Sequence, residues 1–256
     1  LKTSKTTLFI AHQLNTITTM KSPFFIILLI ASSSILNAQN RVSVVDYAKI
    51  ERYAEANAAL SPVQPGEKRV VFMGDSITAA WVNKRPAFFS DNNYIGRGIS
   101  GQVTHQMLLR FRSDVIELTP QVVVLLAGTN DIAHNSGPVT LQAIADNLKS
   151  MAELAKQNGI DVVLCSVLPA KDYPWRAGKE PLVNIPKVNA LIKAYADSRK
   201  IPFIDFYAAM QDGHGGMKVP QYTAETDLVH PNETGYAAME SLLKPVLNRL
   251  LKKAKR

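Results

Sequence analysis

Cysteine is nearly missing from these 256 residues. Cys165 stands alone inside Asp161-Val162-Val163-Leu164-Cys165-Ser166-Val167, which excludes a disulfide framework and marks a small core side chain in a strand. Aromatic residues are sparse at 7%, and none accompanies the basic tail Lys252-Lys253-Ala254-Lys255-Arg256. That tail is therefore expected to be a frayed helix end, and no nucleic-acid partner is expected. Long hydrophobic runs are missing too. Phe24-Phe25-Ile26-Ile27-Leu28-Leu29-Ile30-Ala31 is too short to span a bilayer comfortably; it follows Lys21 and leads through small and polar residues to Leu36-Asn37-Ala38. This is the order of a secretory signal starting at Met20 and cut after Ala38. Residues 1–38 are thus expected to be an upstream segment with a signal peptide, and residues 39–256 the folded domain. Export to the periplasm or the extracellular space follows, with no stable membrane insertion after cleavage, and no cysteine follows the run to accept a lipid. Losing residues 1–38 removes Lys2, Lys5 and Lys21 but no acid, so the formal charge falls from +8 to +5. An excess of that size favours solubility and does not define a binding surface.

What is present is apolar patterning of two kinds. Val70 to Met73, Val122 to Leu126, Val162 to Val167 and Pro202 to Phe206 are short, β-branched and nearly continuous, as strands covered on both faces should be. Asn93 to Ile99 can add a fifth. Between them run helical periods: Val103, Met107, Phe111, Val115; then Leu141, Ile144, Leu148, Met151, Ala155; then Val188, Leu191, Ile192, Tyr195; and last Tyr236, Met239, Leu243, Val246, Leu250. A further helix is expected from Val44 to about Leu60. Alternation of strands and helices predicts an α/β fold, a five-stranded parallel sheet sandwiched between helices in three layers. In such a sheet function collects at the rim where the strands end.

Four strand ends can be read in the sequence, and three carry useful polar groups. Gly74-Asp75-Ser76 closes the first strand and precedes Ile77-Thr78-Ala79-Ala80-Trp81, which can open a helix. The Ser76 hydroxyl and N–H would then stand at the positive end of that helix, favourable for charge developing on a substrate oxygen. A serine needs a base to become a nucleophile, and Asp227-Leu228-Val229-His230 supplies an imidazole with a carboxylate three residues before it. Ser76, His230 and Asp227 are the candidate catalytic set. Candidate oxyanion donors are the N–H of Ser76, the N–H of Gly101 and the side-chain amide of Asn130. No third and fourth ligands stand at metal-site spacing around the His230 pair. His105 and His134 are expected at the surface or in caps, and His214 could serve as base only if Asp212 or Asp205 oriented it.

With these blocks in view, the chain resembles the SGNH hydrolases, the GDSL-like lipase/acylhydrolase family. Gly74-Asp75-Ser76-Ile77 matches the first block, with Ile77 where leucine gives the family its name. Gly98-Ile99-Ser100-Gly101 matches the glycine block, Gly128-Thr129-Asn130-Asp131 the third, and Asp227-Leu228-Val229-His230 the last. The matches span roughly residues 69 to 250. The resemblance implies a flavodoxin-like three-layer fold, ester hydrolysis through a serine acyl intermediate, and no cofactor. It separates the chain from the α/β-hydrolases, because Thr78 stands where the second glycine of their G-x-S-x-G elbow would be needed. Asp75, Asp131, Trp175 and Arg176 are candidates for substrate contact. Asp131 can alternatively pin its loop by accepting backbone hydrogens, and Trp175 and Arg176 can alternatively pin the loop between Pro169 and Pro186. That loop and Arg97-Gly98-Ile99 resemble the branch related to platelet-activating-factor acetylhydrolases, which implies short acyl groups, acetate above all, on a small ester or an acetylated glycan. Lysophospholipase or thioesterase activity is the nearer alternative, and a secreted carbohydrate-binding module the more distant one. Oligomeric state is left open.

Overall fold

The nearly continuous apolar runs line up side by side because each has two faces to bury. In the computed structural model, which describes residues 43–252, β1 (Val70–Gly74), β2 (Tyr94–Gly98), β3 (Val122–Leu126), β4 (Asp161–Cys165) and β5 (Phe203–Ile204) form one parallel sheet in the order β2-β1-β3-β4-β5. The proposed cleavage site at Ala38 and residues 253–256 of the basic tail lie outside the described residues. The helices are α1 (Val44–Ala48), α2 (Ala54–Ala58), α3 (Ser76–Lys84), α4 (Pro86–Ser90), α5 (Thr104–Asp114), α6 (Thr129–Ile132), α7 (Leu141–Gln157), α8 (Pro181–Arg199), α9 (Phe206–Met210) and α10 (Glu233–Leu251).

All five residues of β1 and of β3 are buried. Their side chains alternate between two cores, as the two-residue strand period requires. Val71, Met73, Val123 and Leu125 join Met107 and Phe111 of α5, Ile144 and Leu148 of α7 and Val188 of α8 on one face. Val70, Phe72, Val124 and Leu126 join Trp81 of α3, Phe88 of α4 and Tyr236 and Leu243 of α10 on the other. Six of the eight buried aromatic side chains among the described residues sit in this second core. Trp81 stacks on Phe88 and on Tyr236 with centroids 5.5 Å apart in each case. The three-layer expectation and the five strands therefore hold.

Two expectations change. The helix expected from Val44 to Leu60 is broken, because Lys49 turns into the left-handed region at φ 50° and a 3₁₀ turn, Ile50–Tyr53, separates α1 from α2. The break lets both halves face the sheet rim: the Ala48 carbonyl accepts from the side chain of Gln102 at 2.7 Å, and the Tyr53 hydroxyl donates to the Gly98 carbonyl at 2.5 Å. The last strand shrinks to two residues. Asp205 leaves the sheet to cap α9, its carboxylate accepting from the N–H of Ala208 at 2.9 Å.

Register carries the strand ends to a common rim. Gly74 lies opposite Gly98 on one side and Leu126 on the other. Gly98 is where β2 meets the start of α3 backbone to backbone: a Cβ there would stand 2.4 Å from the Ala79 nitrogen and 2.6 Å from the Asp75 carbonyl oxygen. A methyl group cannot be accommodated by rotating a side chain, so strand or helix must move. Gly98→Ala is expected to destabilise the fold by about 1–3 kcal/mol, seen as a lower urea midpoint at unchanged m-value; a wild-type midpoint would refute the close approach.

Candidate active site

The turn after β1 is tight because it has to be. A Cβ on Gly74 would lie 2.1 Å from the Thr78 hydroxyl and 2.7 Å from the Leu126 carbonyl. Asp75 follows as the N-cap of α3, its carboxylate accepting from the N–H of Ile77 at 2.9 Å, and Ser76 becomes the first residue of the helix. Its N–H is one of those that no helix carbonyl can reach.

The second half of the site arrives 154 residues later. Ser76 Oγ lies 2.9 Å from His230 Nε2, and His230 Nδ1 lies 2.8 and 3.1 Å from the two Asp227 oxygens. A carboxylate only accepts, so Nδ1 carries the proton and Nε2 is left to accept from the serine hydroxyl. A short turn makes the three-residue spacing work. Leu228 takes a left-handed φ of 64°, and the Asp227 carboxylate also accepts from the His230 N–H at 2.9 Å. Thr223 holds the far side by donating its hydroxyl to the His230 carbonyl at 2.8 Å. Asn232 then caps α10, accepting from the N–H of Gly235 at 2.9 Å.

The oxyanion candidates are assembled by a different set of bonds. Gly101 has φ +79° with open space where a Cβ would be, so its backbone is free to approach a ligand. Asn130 lies in α6, 3% exposed, and donates from Nδ2 to the Gln102 carbonyl at 3.0 Å. Its Oδ1 accepts from Asn135 at 2.8 Å. Sequence reasoning passed over Asn135, Gln102 and Arg110. Arg110 is fully buried and donates to Gln102 Oε1 (2.6 Å), Asp114 (2.7 Å) and the carbonyls of Gly74 (3.1 Å) and Arg97 (3.0 Å). A signal for it existed: positions 110 and 114 fall on the same helical stripe as Met107 and Phe111, where a surface ion pair should not stand.

The four substrate-contact candidates fare differently. Asp75 and Asp131 are each 1% exposed and turned inward, which corrects their expected role. Asp75 caps α3. Asp131 pins the start of α5, accepting from the Thr104 N–H at 3.0 Å on both oxygens and from the Thr104 hydroxyl at 2.6 Å. Trp175 is 44% exposed, with its ring centroid 6.4 Å from that of His230 and 5.2 Å from that of Tyr173. Arg176 spends one guanidinium nitrogen on the His134 carbonyl at 3.1 Å, the loop-pinning alternative. The competing base is not assembled: Asp212 accepts from the backbone N–H of His214 and Gly216, and Asp205 is occupied as a cap. His105 stacks on Tyr47 at 5.7 Å. Among the described residues no three His, Cys, Asp or Glu side chains converge as metal ligands would.

Burial sets these carboxyl groups apart. For Asp227 desolvation works upward, but hydrogen bonds and charge from His230 outweigh it and hold the group below the usual carboxylate range. Asp75 is pushed up to about 6 by desolvation, against the pull of the Ile77 N–H and His230. Asp131 is pushed up to about 7, again by desolvation, against its Thr104 bonds and helped by the Asp75 charge. A carboxyl whose folded value exceeds its unfolded value near 3.8 binds protons better when folded. Stability is then lost as pH rises from about 4 through 6 and stays lost above, on the order of 3 kcal/mol for Asp75 alone. Asparagine caps helices as well as aspartate does. Asp75→Asn should therefore make the unfolding free energy fall less between pH 4 and pH 7 than it does in the wild type; parallel curves by urea titration would contradict the burial of that charge.

The fold that carries this arrangement is shared with known proteins. The model of the GDSL-like Lipase/Acylhydrolase family matches residues 72–238. A GDSL-like lipase from Bacteroides thetaiotaomicron is 50% identical, with a TM-score of 0.76 over 79% of this chain and 98% of that one. A predicted acylhydrolase from Bacteroides fragilis is 47% identical, with a TM-score of 0.78 over 81% of this chain and 99% of the other. Human platelet-activating factor acetylhydrolase IB subunit alpha1 is 27% identical over 192 residues, covering 72% of this chain and 78% of its own length. The family match spans the first strand to the last helix, and so this chain belongs to the GDSL-like lipase/acylhydrolase family and is an ester-hydrolysing enzyme.

Proposed function

We propose that the chain is a serine esterase that hydrolyses short-chain esters, acetyl esters above all, through a covalent acyl-enzyme. The observation that carries this reading is the continuous hydrogen-bond path from the Ser76 hydroxyl through His230 to Asp227, 2.9 and 2.8 Å long at its two links. Ser76 Oγ attacks the ester carbonyl carbon while Nε2 of His230 takes its proton. The carbonyl oxygen becomes an oxyanion facing the N–H groups of Ser76 and Gly101 and the Asn130 amide. Collapse of this intermediate breaks the bond to the alcohol, which leaves with the proton from the imidazolium. Water then gives its proton to the same nitrogen and attacks the acyl carbon; collapse breaks the carbon–Oγ bond, the imidazolium returns the proton to Ser76 Oγ, and the acid departs. Asp227 keeps the imidazole in the required tautomer and faces the imidazolium charge at each half-reaction.

The preference for small acyl groups rests on the 27% identical acetylhydrolase relative and on Trp175, whose ring lies beside that of His230. An exposed indole next to the base can cover an acetyl group or stack on a sugar ring, which suits an acetylated glycan or a small lipid-like ester. Among the described residues no helix is long and apolar enough to cross a membrane. The signal-like segment ending at Ala38 supports action outside the cytoplasm.

Ser76→Ala should lower kcat on p-nitrophenyl acetate by about a thousandfold or more and abolish labelling by an organophosphonate. Comparison of acetyl, butyryl and decanoyl esters by kcat/KM should favour acetyl. Preference for decanoyl would replace the short-acyl assignment with a lysophospholipase-like one, and full turnover by the alanine variant would remove the serine mechanism altogether.

A further inference from the structure

Asn130 presents a donor or an acceptor to the acyl oxygen according to which way its amide is turned, and a wrong turn would place one oxygen against another. The orientation is decided outside the residue. A chain of three hydrogen bonds runs inward from the loop at the mouth of the site: Trp175 Nε1–H donates to Asn135 Oδ1 at 3.1 Å, Asn135 Nδ2–H donates to Asn130 Oδ1 at 2.8 Å, and Asn130 Nδ2–H donates to the Gln102 carbonyl at 3.0 Å. Its two ends have only one possible polarity. An indole nitrogen can only donate and a peptide carbonyl can only accept. If either asparagine turned over, donor would meet donor or acceptor would meet acceptor at both of its links. The amide nitrogen of Asn130 has two hydrogens, and Gln102 takes one. The other remains for a ligand.

The backbone places the links. His134 adopts a left-handed φ of 57° after α6, which folds the chain back so that the Asn135 N–H reaches the Asn130 carbonyl at 3.0 Å. Arg176 fastens the neighbouring loop to the same turn through the His134 carbonyl. The Trp175 ring meanwhile faces His230. One side chain on the exposed loop therefore lies beside the base with its ring and is linked, through its N–H and Asn135, to the oxyanion amide.

We propose that Trp175 and Asn135 are positioning residues that fix which edge of the Asn130 amide faces the acyl oxygen, so that the loop covering the substrate also sets the polarity of the oxyanion donors. This rests on the serine-esterase reading above. The contribution of the indole N–H should then pass entirely through Asn130 and be felt in the chemical step, where the oxyanion forms. A Trp175 that served only as a wall for substrate would act on KM and be indifferent to Asn130.

The test is a double-mutant cycle on p-nitrophenyl acetate with Trp175→Phe, Asn135→Ala and Asn130→Ala. Phenylalanine keeps a ring beside His230 and Tyr173 and removes only the donor. Trp175→Phe and Asn135→Ala should each lower kcat by about tenfold with KM within about twofold, and Asn130→Ala by about a hundredfold. Neither Trp175→Phe nor Asn135→Ala should lower kcat further once Asn130 is alanine. Wild-type kcat in Trp175→Phe, a loss confined to KM, or the same tenfold loss in the Asn130→Ala background would overturn the inference. Ser76→Ala separates the two levels: if it is inactive while the cycle is additive, the relay alone fails, whereas an active Ser76→Ala enzyme removes the esterase reading and the relay with it.

Discussion

A single buried guanidinium holds the rim together. At this rim the carbonyls of Gly74 and Arg97 both accept from Arg110, which also grips the Gln102 side chain and Asp114. Gly74 precedes the Ser76 turn, Arg97 leads into the Gly98–Gly101 segment, and the Gln102 carbonyl receives Asn130. All three oxyanion candidates are therefore referenced to one cation. Removing an arginine from water is costly, and such a group is tolerated only when its donors are met and its charge is balanced. Here Asp114, itself fully buried, balances the charge, and Asn57 of α2 donates to Asp114 at 2.9 Å. The broken N-terminal helix thereby joins the same network, since Asn57 also accepts from Arg97 Nε at 2.8 Å.

Residues whose chemistry declares itself locally were legible in the sequence. Ser76 follows an apolar run and opens a helix, and Asp227 and His230 sit three apart before a capping Asn232. Each signal needs only a few neighbours. Arg110, Gln102 and Asn135 were illegible for the opposite reason: long or amide side chains are ordinary on helix surfaces and in turns, and their roles come from partners 4 to 54 residues away. Asp75 and Asp131 were misjudged in a related way. Their place beside reacting groups suggested contact with substrate, while the fold uses their oxygens to satisfy N–H groups at the starts of α3 and α5. The bend at Lys49 could not be foreseen from an uninterrupted helical pattern, because the bond that accompanies it, from Tyr53 to the Gly98 carbonyl, lies 45 residues along the chain.

The charges of the three carboxyl groups follow from the same geometry. Asp227, half exposed and bonded to His230, stays ionised beside the imidazole ring. Asp75 and Asp131, sealed from water, resist ionisation and stand next in the chain to Ser76 and Asn130. Three full negative charges around an oxyanion would oppose the reaction; raising two of the groups toward neutrality lessens that opposition, and the helix N-terminus at Ser76 adds a favourable partial charge. A fold that needs acidic caps near its reaction centre can keep them by burying them.

The link from Ser76 to His230 has its own anchor, and it explains how residues 154 positions apart hold a hydrogen-bond distance. His230 lies just ahead of α10. That helix packs on α3, the helix Ser76 opens, and grips it at two levels: the Tyr236 hydroxyl donates to the Ile77 carbonyl at 2.7 Å, and Glu240 accepts from Trp81 Nε1 at 3.3 Å and from Arg85 Nε at 2.9 Å. Tyr236 and Glu240 are a turn apart on one face of α10, while Ile77, Trp81 and Arg85 repeat every four residues along α3, so the two helices are matched in register and not merely in contact. Sliding one along the other by a turn would break both levels at once. The distance between hydroxyl and imidazole is therefore inherited from a helix–helix register buried in the aromatic core, whereas the Asp227–His230 pair is set by its own short turn, and the Ser76–His230 and Asp227–His230 links are fixed by independent means.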